Sequence, residues 1–325
     1  MQNVRFSAKD ILAAYDTIHS YLTPTPLAES LYLGTGERRY FFKLESEQPV
    51  RSFKIRGALN KMCSLTSSER KRGVATVSSG NHGSAVGYAA RLLGIEKNLV
   101  IVPQNTPQAK IDRIVFYGGQ VLRMGNNYDE AHALGTEYIK TLGMTYIDAY
   151  YEDAKIYAGQ GTIAVELFAQ QADVDTIVVP IGGGGLITGI AVAAKFLKPD
   201  IRIIGVQTET CPAMVRALTD HVFYENYPIT GETICDSLVG GVGKLSYEIL
   251  GEYIDDIIVV REQTIRQAVQ HMILNEKFVV EGGSAATLAA VFDDAARVGG
   301  RKIALVMSGG NIDAGLMLDL LQSSR

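Results

Sequence analysis

Four stretches of the chain repeat one grammar: "VATVSSGNHGSAVGYAARLLG", "LVIVPQNTPQAKIDRIVFYG", "TIVVPIGGGGLITGIAVAAKFL" and "IRIIGVQTETCPAMVRAL". Each begins with a short continuous apolar run rich in β-branched residues, passes through a glycine-rich or small polar turn, and ends in a helical pattern. Strands without polar alternation are buried on both faces, as in a parallel sheet covered by helices. The expected class is therefore α/β. Ligands in such sheets sit at the carboxyl ends of the strands, so the residues after each run carry the functional question.

A chain of 325 residues exceeds the size at which a single core stops growing, which suggests two lobes. The regular units from Ile55 to Ile147 form the expected small lobe, and 1–54 with 148–325 the discontinuous large one. A net charge of −4 without basic runs excludes a nucleic-acid or anionic-membrane footprint and leaves small molecules as partners. Cys63, Cys211 and Cys235 form neither a disulfide framework nor a zinc pattern, which fits a reducing compartment. The opening stretch, "MQNVRFSAKDILAAYDTIHS", reads as an amphipathic helix capped by Ser7 rather than a signal peptide, and no apolar run is long enough to span a bilayer. The expectation is a cytoplasmic protein with no membrane contact.

Gly182, Gly183, Gly184 and Gly185 stand between a strand and a helix, where converging backbone N–H groups and a helix N-terminus make a nest for an anion. Neither a dinucleotide fingerprint nor a G-K-[ST] sequence is present, so a monophosphate is the expected ligand. In "SSGNHG", Ser78, Ser79, Asn81 and His82 crowd donors at a second helix start, either to hold a carboxylate or as an N-cap with solvated neighbours. "SGGN", from Ser308 to Asn311, is a third polar turn after a strand. Lys54, in "VRSFKIRGALNK", heads a helix, where the macrodipole disfavours a cation and favours a neutral, nucleophilic amine. Ser52 is a candidate cap for that helix.

In this order and spacing, "SFKIRGA", "SSGNHG", "GGGGLITG" and "SGGN" resemble the pyridoxal-phosphate enzymes of fold type II, closest to the serine/threonine dehydratase and serine racemase family. The resemblance runs from "TPTPL" at Thr23–Leu27 to "SGGN". It implies a two-lobed, tryptophan synthase β-like fold, each lobe an open, mostly parallel twisted sheet flanked by helices. It also implies pyridoxal 5'-phosphate bound covalently to Lys54, with Phe53 beside its ring and Asn81 on its 3′-oxygen. Gly182 to Gly185 would hold the phosphate, and Ser308 would face the pyridine nitrogen. Ser78, Ser79, Asn81 and His82 would bind the substrate carboxylate, and Lys54 would remove the α-proton. Ser79 matches the serine that racemases of this family use on the opposite ring face. The implied reaction is removal of water from L-threonine or L-serine, giving a 2-oxo acid and ammonia, by a homodimer. Another 3-hydroxy amino acid, racemisation, or a non-catalytic ligand-binding relative are the alternatives.

Three places depart from the family pattern. Gln207 and Ala213 stand where racemase-like members carry acidic cation ligands, so no metal ligand is assigned and a divalent cation stays doubtful; Glu209 is read as a solvated acid. Asp129 replaces an arginine of the racemases. "CDSLVGG" resembles dehydratases of other 3-hydroxy amino acids, including those of hydroxyectoine breakdown. Glu281 is either a capping acid or a neighbour of the cofactor, and Arg51 either shapes substrate access or is solvated.

Overall fold

The computed structural model describes residues 6–34 and 36–323. Its strands are Leu27–Glu29 (β1), Arg39–Leu44 (β2), Val74–Val77 (β3), Asn98–Val102 (β4), Gln120–Arg123 (β5), Thr145–Tyr146 (β6), Thr176–Pro180 (β7), Arg202–Thr208 (β8), Asp256–Val260 (β9) and Lys302–Met307 (β10). They form a six-stranded sheet in the order β1-β2-β10-β7-β8-β9 and a four-stranded sheet in the order β5-β4-β3-β6. Every pairing is parallel except that of β1 with β2, and helices flank both sheets. The α/β expectation holds. Every residue of β3 and β7 is buried, as their uninterrupted apolar sequences require.

Because β2, β10 and β7 are adjacent and parallel, their carboxyl ends share one edge of the large sheet. Lys54, Ser308 and the glycine run all follow that edge. The helix Lys54–Cys63 is set by close packing on Ala154–Gln170: a Cβ on Gly159 would stand 2.6 Å from Gly57 Cα. Only a glycine pair lets these backbones approach so closely.

The N-terminal helix spans Ala8–Ile18, and the Ser7 N–H donates to Asp10 Oδ2 at 2.8 Å, giving the expected cap. The part of that reading before Phe6 lies outside the described residues. Among the described residues, no helix is long and apolar enough to cross a membrane.

Candidate active site

A cavity of about 870 Å³ opens at the carboxyl ends of the strands, and its wall contains Phe53, Lys54, Ser78, Ser79, Asn81, His82, Gly182 to Gly185 and Ser308. The structure thus brings together in one cavity the cofactor- and substrate-site candidates of the four sequence motifs.

Lys54 is the first residue of its helix, following Phe53 as N-cap. Ser52 caps only weakly: its hydroxyl accepts from the Lys54 N–H at 3.4 Å. The Lys54 ammonium donates to Ala149 O at 3.2 Å, with the rings of Phe53 and Tyr150 centred 5.2 and 5.7 Å from Nζ. Burial pulls its pKa down to about 8, against the opposing charges of Asp148 and Glu281. The direction is the one expected for a nucleophilic amine, but desolvation is its leading cause.

At the glycine run, Gly184 adopts φ +93° as N-cap of the 13-residue helix Gly185–Leu197. A Cβ there would lie 2.6 Å from the Ser246 side chain, and one on Gly182 would lie 2.8 Å from Ser237 O. The turn is a cradle that side chains would fill, beside free N–H groups at a helix start. Such a donor set fits a phosphate monoester, and together with the Lys54 amine it fits pyridoxal phosphate.

Asn81 joins three loops. Its Nδ2 donates to both oxygens of Glu281, at 3.0 and 3.1 Å, while its Oδ1 accepts from Asn311 Nδ2 at 2.7 Å. Glu281 is both N-cap of the helix Gly282–Val298 and part of the cavity wall, so the two readings of it coincide. Burial pushes its carboxyl up to about 7 despite the Asn81 bond. Ser308 is buried and pairs with Ser284 Oγ at 3.1 Å. Because Ser284 donates its own proton to Gly309 O at 2.6 Å, Ser308 is the donor in that pair.

His82 departs from expectation. Its Nε2 lies 3.0 Å from Ile147 O, which can only accept, so Nε2 carries the proton and the buried Nδ1 is left as an acceptor without a partner among the described residues. Burial and the nearby Lys54 push its pKa down to about 4. The neutral ring adds no free donor at the helix start, which leaves the backbone and the other side chains there.

Gln207 Oε1 accepts from the Val215 N–H at 3.0 Å, and Glu209 is solvent-exposed, as read, while also accepting from the Glu262 N–H at a helix start at 2.9 Å. Among the described residues, no group of three or more His, Cys, Asp or Glu side chains could hold a metal ion. Asp129 lines the cavity, whereas the exposed Arg51 pairs with Glu47 at 2.7 Å outside it. Sequence reasoning missed Tyr150 in "AYYEDAKIYAGQGT" and Asp148 immediately before that stretch. Their position after β6, another strand carboxyl end, was the available signal.

Two mostly parallel sheets meeting at an amine, a glycine cradle and a polar helix start form the arrangement of an enzyme of the pyridoxal-phosphate type. The family model described as "Pyridoxal-phosphate dependent enzyme" matches residues 18–309, and the chain belongs to that family. It is 38% identical over 315 residues to the L-threonine ammonia-lyase of Thermotoga maritima, covering 95% of this chain and 76% of that protein. It is also 38% identical over 308 residues to the catabolic L-threonine dehydratase of Escherichia coli K12, covering 94% and 92%. Among solved structures, the serine racemase of Dictyostelium discoideum superposes with a TM-score of 0.87 at 32% identity, covering 95% of this chain and 100% of that one. The protein is a fold type II enzyme with pyridoxal phosphate as its cofactor.

Uptake of pyridoxal phosphate by the apoenzyme should follow the neutral fraction of Lys54. The initial rate of growth of the visible absorbance should rise with pH and level off above about 8, because the amine is deprotonated there. A rate still climbing about tenfold between pH 8 and pH 9 would mean an ordinary lysine.

Proposed function

We propose that the protein is an L-threonine/L-serine dehydratase, an ammonia-lyase that removes water from a 3-hydroxy amino acid to give a 2-oxo acid and ammonia. The observation that carries this reading is the placement of a lysine with a pKa of about 8 in one cavity with the phosphate cradle and a polar helix start. The identity to threonine dehydratases supports it. Bound pyridoxal phosphate would supply an electron sink that acidifies the α C–H bond.

In this reading Lys54 anchors the cofactor and, once freed, takes the α-proton as a neutral base. Gly182, Gly183, Gly184 and Gly185 hold the phosphate, Phe53 packs beside the ring and Ser308 faces its nitrogen. Asn81, oriented by Glu281 and Asn311, turns its remaining donor capacity to the 3′-oxygen. The substrate carboxylate docks on the helix start at Ser78, Ser79, Asn81 and the His82 N–H. Ser79 faces the substrate from the side opposite Lys54. Asp129 in the cavity wall offers no cation to a substrate carboxylate, which favours elimination over the arginine-assisted racemase pattern.

Purified protein with pyridoxal phosphate should release 2-oxo acid from L-threonine or L-serine faster than from 3-hydroxyaspartate or phenylserine. The panel, run with and without magnesium and with chiral analysis of residual substrate, decides the matter. D-serine formation outpacing 2-oxo acid release, or a better turnover of one of the other hydroxy acids, would overturn the assignment.

We further infer a small lobe at 55–147 and a large lobe at 1–54 and 148–325, supported by the confinement of the four-stranded sheet to Val74–Tyr146. A homodimer is supported by a patch in which the exposed Tyr32 and the partly exposed Phe292 pack on His271, beside Leu274; light scattering is the check. A cytoplasmic location is supported by three free cysteines.

A further inference from the structure

The dehydratase reading, on which this inference rests, leaves one proton without a source. Lys54 takes the proton from Cα, but the hydroxyl on Cβ leaves poorly unless its oxygen is protonated as the bond breaks. Three phenols line the cavity, those of Tyr128, Tyr150 and Tyr227. The ring of Tyr150 is the one set against the lysine amine, 5.7 Å from Nζ. A substrate whose Cα lies within about 3.5 Å of that amine, as proton transfer demands, carries its β-oxygen only two bonds further.

Tyr150 is held in this place from both sides. The Asp148 carboxylate accepts from the N–H groups of Tyr150, Glu152 and Asp153 at 3.1, 2.8 and 3.3 Å, winding the segment after β6 into a turn. The ring itself lies on Gly183, where a Cβ would collide with it. The backbone of this segment is also tied to Lys54, through Ala149 O. The Tyr150 hydroxyl makes no hydrogen bond among those of the described residues, so its proton is uncommitted. Burial, with Asp148, Asp129 and Glu225 around the ring, pushes the phenol's pKa up and keeps it protonated.

We propose that Tyr150 is a catalytic residue that donates its hydroxyl proton to the departing β-oxygen. The α-proton goes to Lys54, the electron pair it leaves becomes the second bond between Cα and Cβ, and the Cβ–O bond breaks with its pair on oxygen. That oxygen takes the Tyr150 proton and departs as water. The Lys54 ammonium then returns a proton to the tyrosinate, directly or through that water, so both residues regain their starting states and nothing is oxidised or reduced. Even a phenol whose pKa is raised is a far stronger acid than water, so transfer to departing hydroxide is favourable.

The test is Tyr150→Phe in the holoenzyme, which keeps the ring on Gly183 and removes only the hydroxyl. L-serine is compared with β-chloro-L-alanine, whose chloride leaves without a proton. The turnover number on L-serine should fall by about 10²-fold or more, within the range for loss of a general acid, while that on β-chloro-L-alanine stays near wild type. Cofactor uptake, followed by absorbance, and exchange of the α-hydrogen of L-alanine into D₂O, followed by NMR, should be unchanged. Equal losses on both substrates, no loss on L-serine, or impaired cofactor uptake would overturn the proposal. A wild-type enzyme that releases no 2-oxo acid from L-serine or L-threonine would instead overturn the dehydratase reading itself.

Discussion

Lys54→Ala should give a protein without the visible band of lysine-bound cofactor and with activity reduced by at least about 10⁴-fold. The size of the effect follows from two jobs held by one amine, the covalent anchor and the base, neither of which any other group near it can take over. His82 is neutral and its protonated nitrogen is tied to Ile147 O, while Glu281 is engaged by Asn81. The fold should survive, because among the described residues the only polar tie of the Lys54 side chain is to Ala149 O, and losing it leaves a carbonyl at the edge of a water-accessible cavity. Circular dichroism and the denaturation midpoint of the apo form should therefore match wild type. Small primary amines added to the variant should restore a measurable fraction of turnover, since they supply the missing base. A variant that remained yellow and active would remove Lys54 from the mechanism.

What could be read in advance and what could not divides along sequence distance. The strands announced themselves because burial on both faces demands a run of apolar residues, and β3, β4, β7 and β8 sit where those runs are. The glycine run and the "SSGN" and "SGGN" turns were legible because a strand's carboxyl end and the following helix start are local features. Lys54 was legible as a misfit, a cation at the wrong end of a helix. The His82 tautomer was not, since it depends on a carbonyl 65 residues away, and the Asn81 to Glu281 bond spans 200. Tyr150 went unread because nothing in "AYYEDAK" distinguishes a surface tyrosine from one resting on Gly183. Arg56 and its partners escaped for the same reason: charged residues spread over the sequence are ordinarily solvated, and only the fold reveals that these are not.

Arg56→Met should be the most destabilising single change outside the cavity, by about 3 to 5 kcal/mol. Arg56 and Lys43 are fully buried, as are their partners Glu45 and Glu166 almost completely. The guanidinium donates to Glu45 at 2.7 and 2.9 Å, to Glu166 at 2.7 Å through each of two nitrogens, and to Thr162 Oγ1 at 3.1 Å. Lys43 meets Glu166 Oε2 and Thr25 O, each at 2.8 Å, and Gln170 Oε1 at 2.9 Å. Two cations thus balance two anions away from water. Burial alone would lower the Arg56 pKa, but the two glutamates more than offset it and hold it above its ordinary value. Methionine of similar length fills the space and leaves two buried carboxylates facing one ammonium. The unpaired carboxyl then finds its protonated form favoured, so its folded pKa moves above the unfolded value. In wild type the balance is opposite: burial would raise the Glu45 pKa, but Arg56 and Lys43 hold it below its ordinary value. Wild type therefore keeps the benefit of that pairing at neutral pH, while the variant loses stability as pH rises through its raised pKa. The gap between their denaturation midpoints should widen from about pH 5 to pH 8. Arg56 lies two residues beyond Lys54 on the same helix, so cofactor retention should weaken in parallel with stability. Adding Glu45→Gln to Arg56→Met removes the stranded charge, which should recover part of the loss and flatten its pH dependence. A gap that is small at every pH, or one that the second substitution deepens, would mean that the ion network does not anchor the helix that presents Lys54.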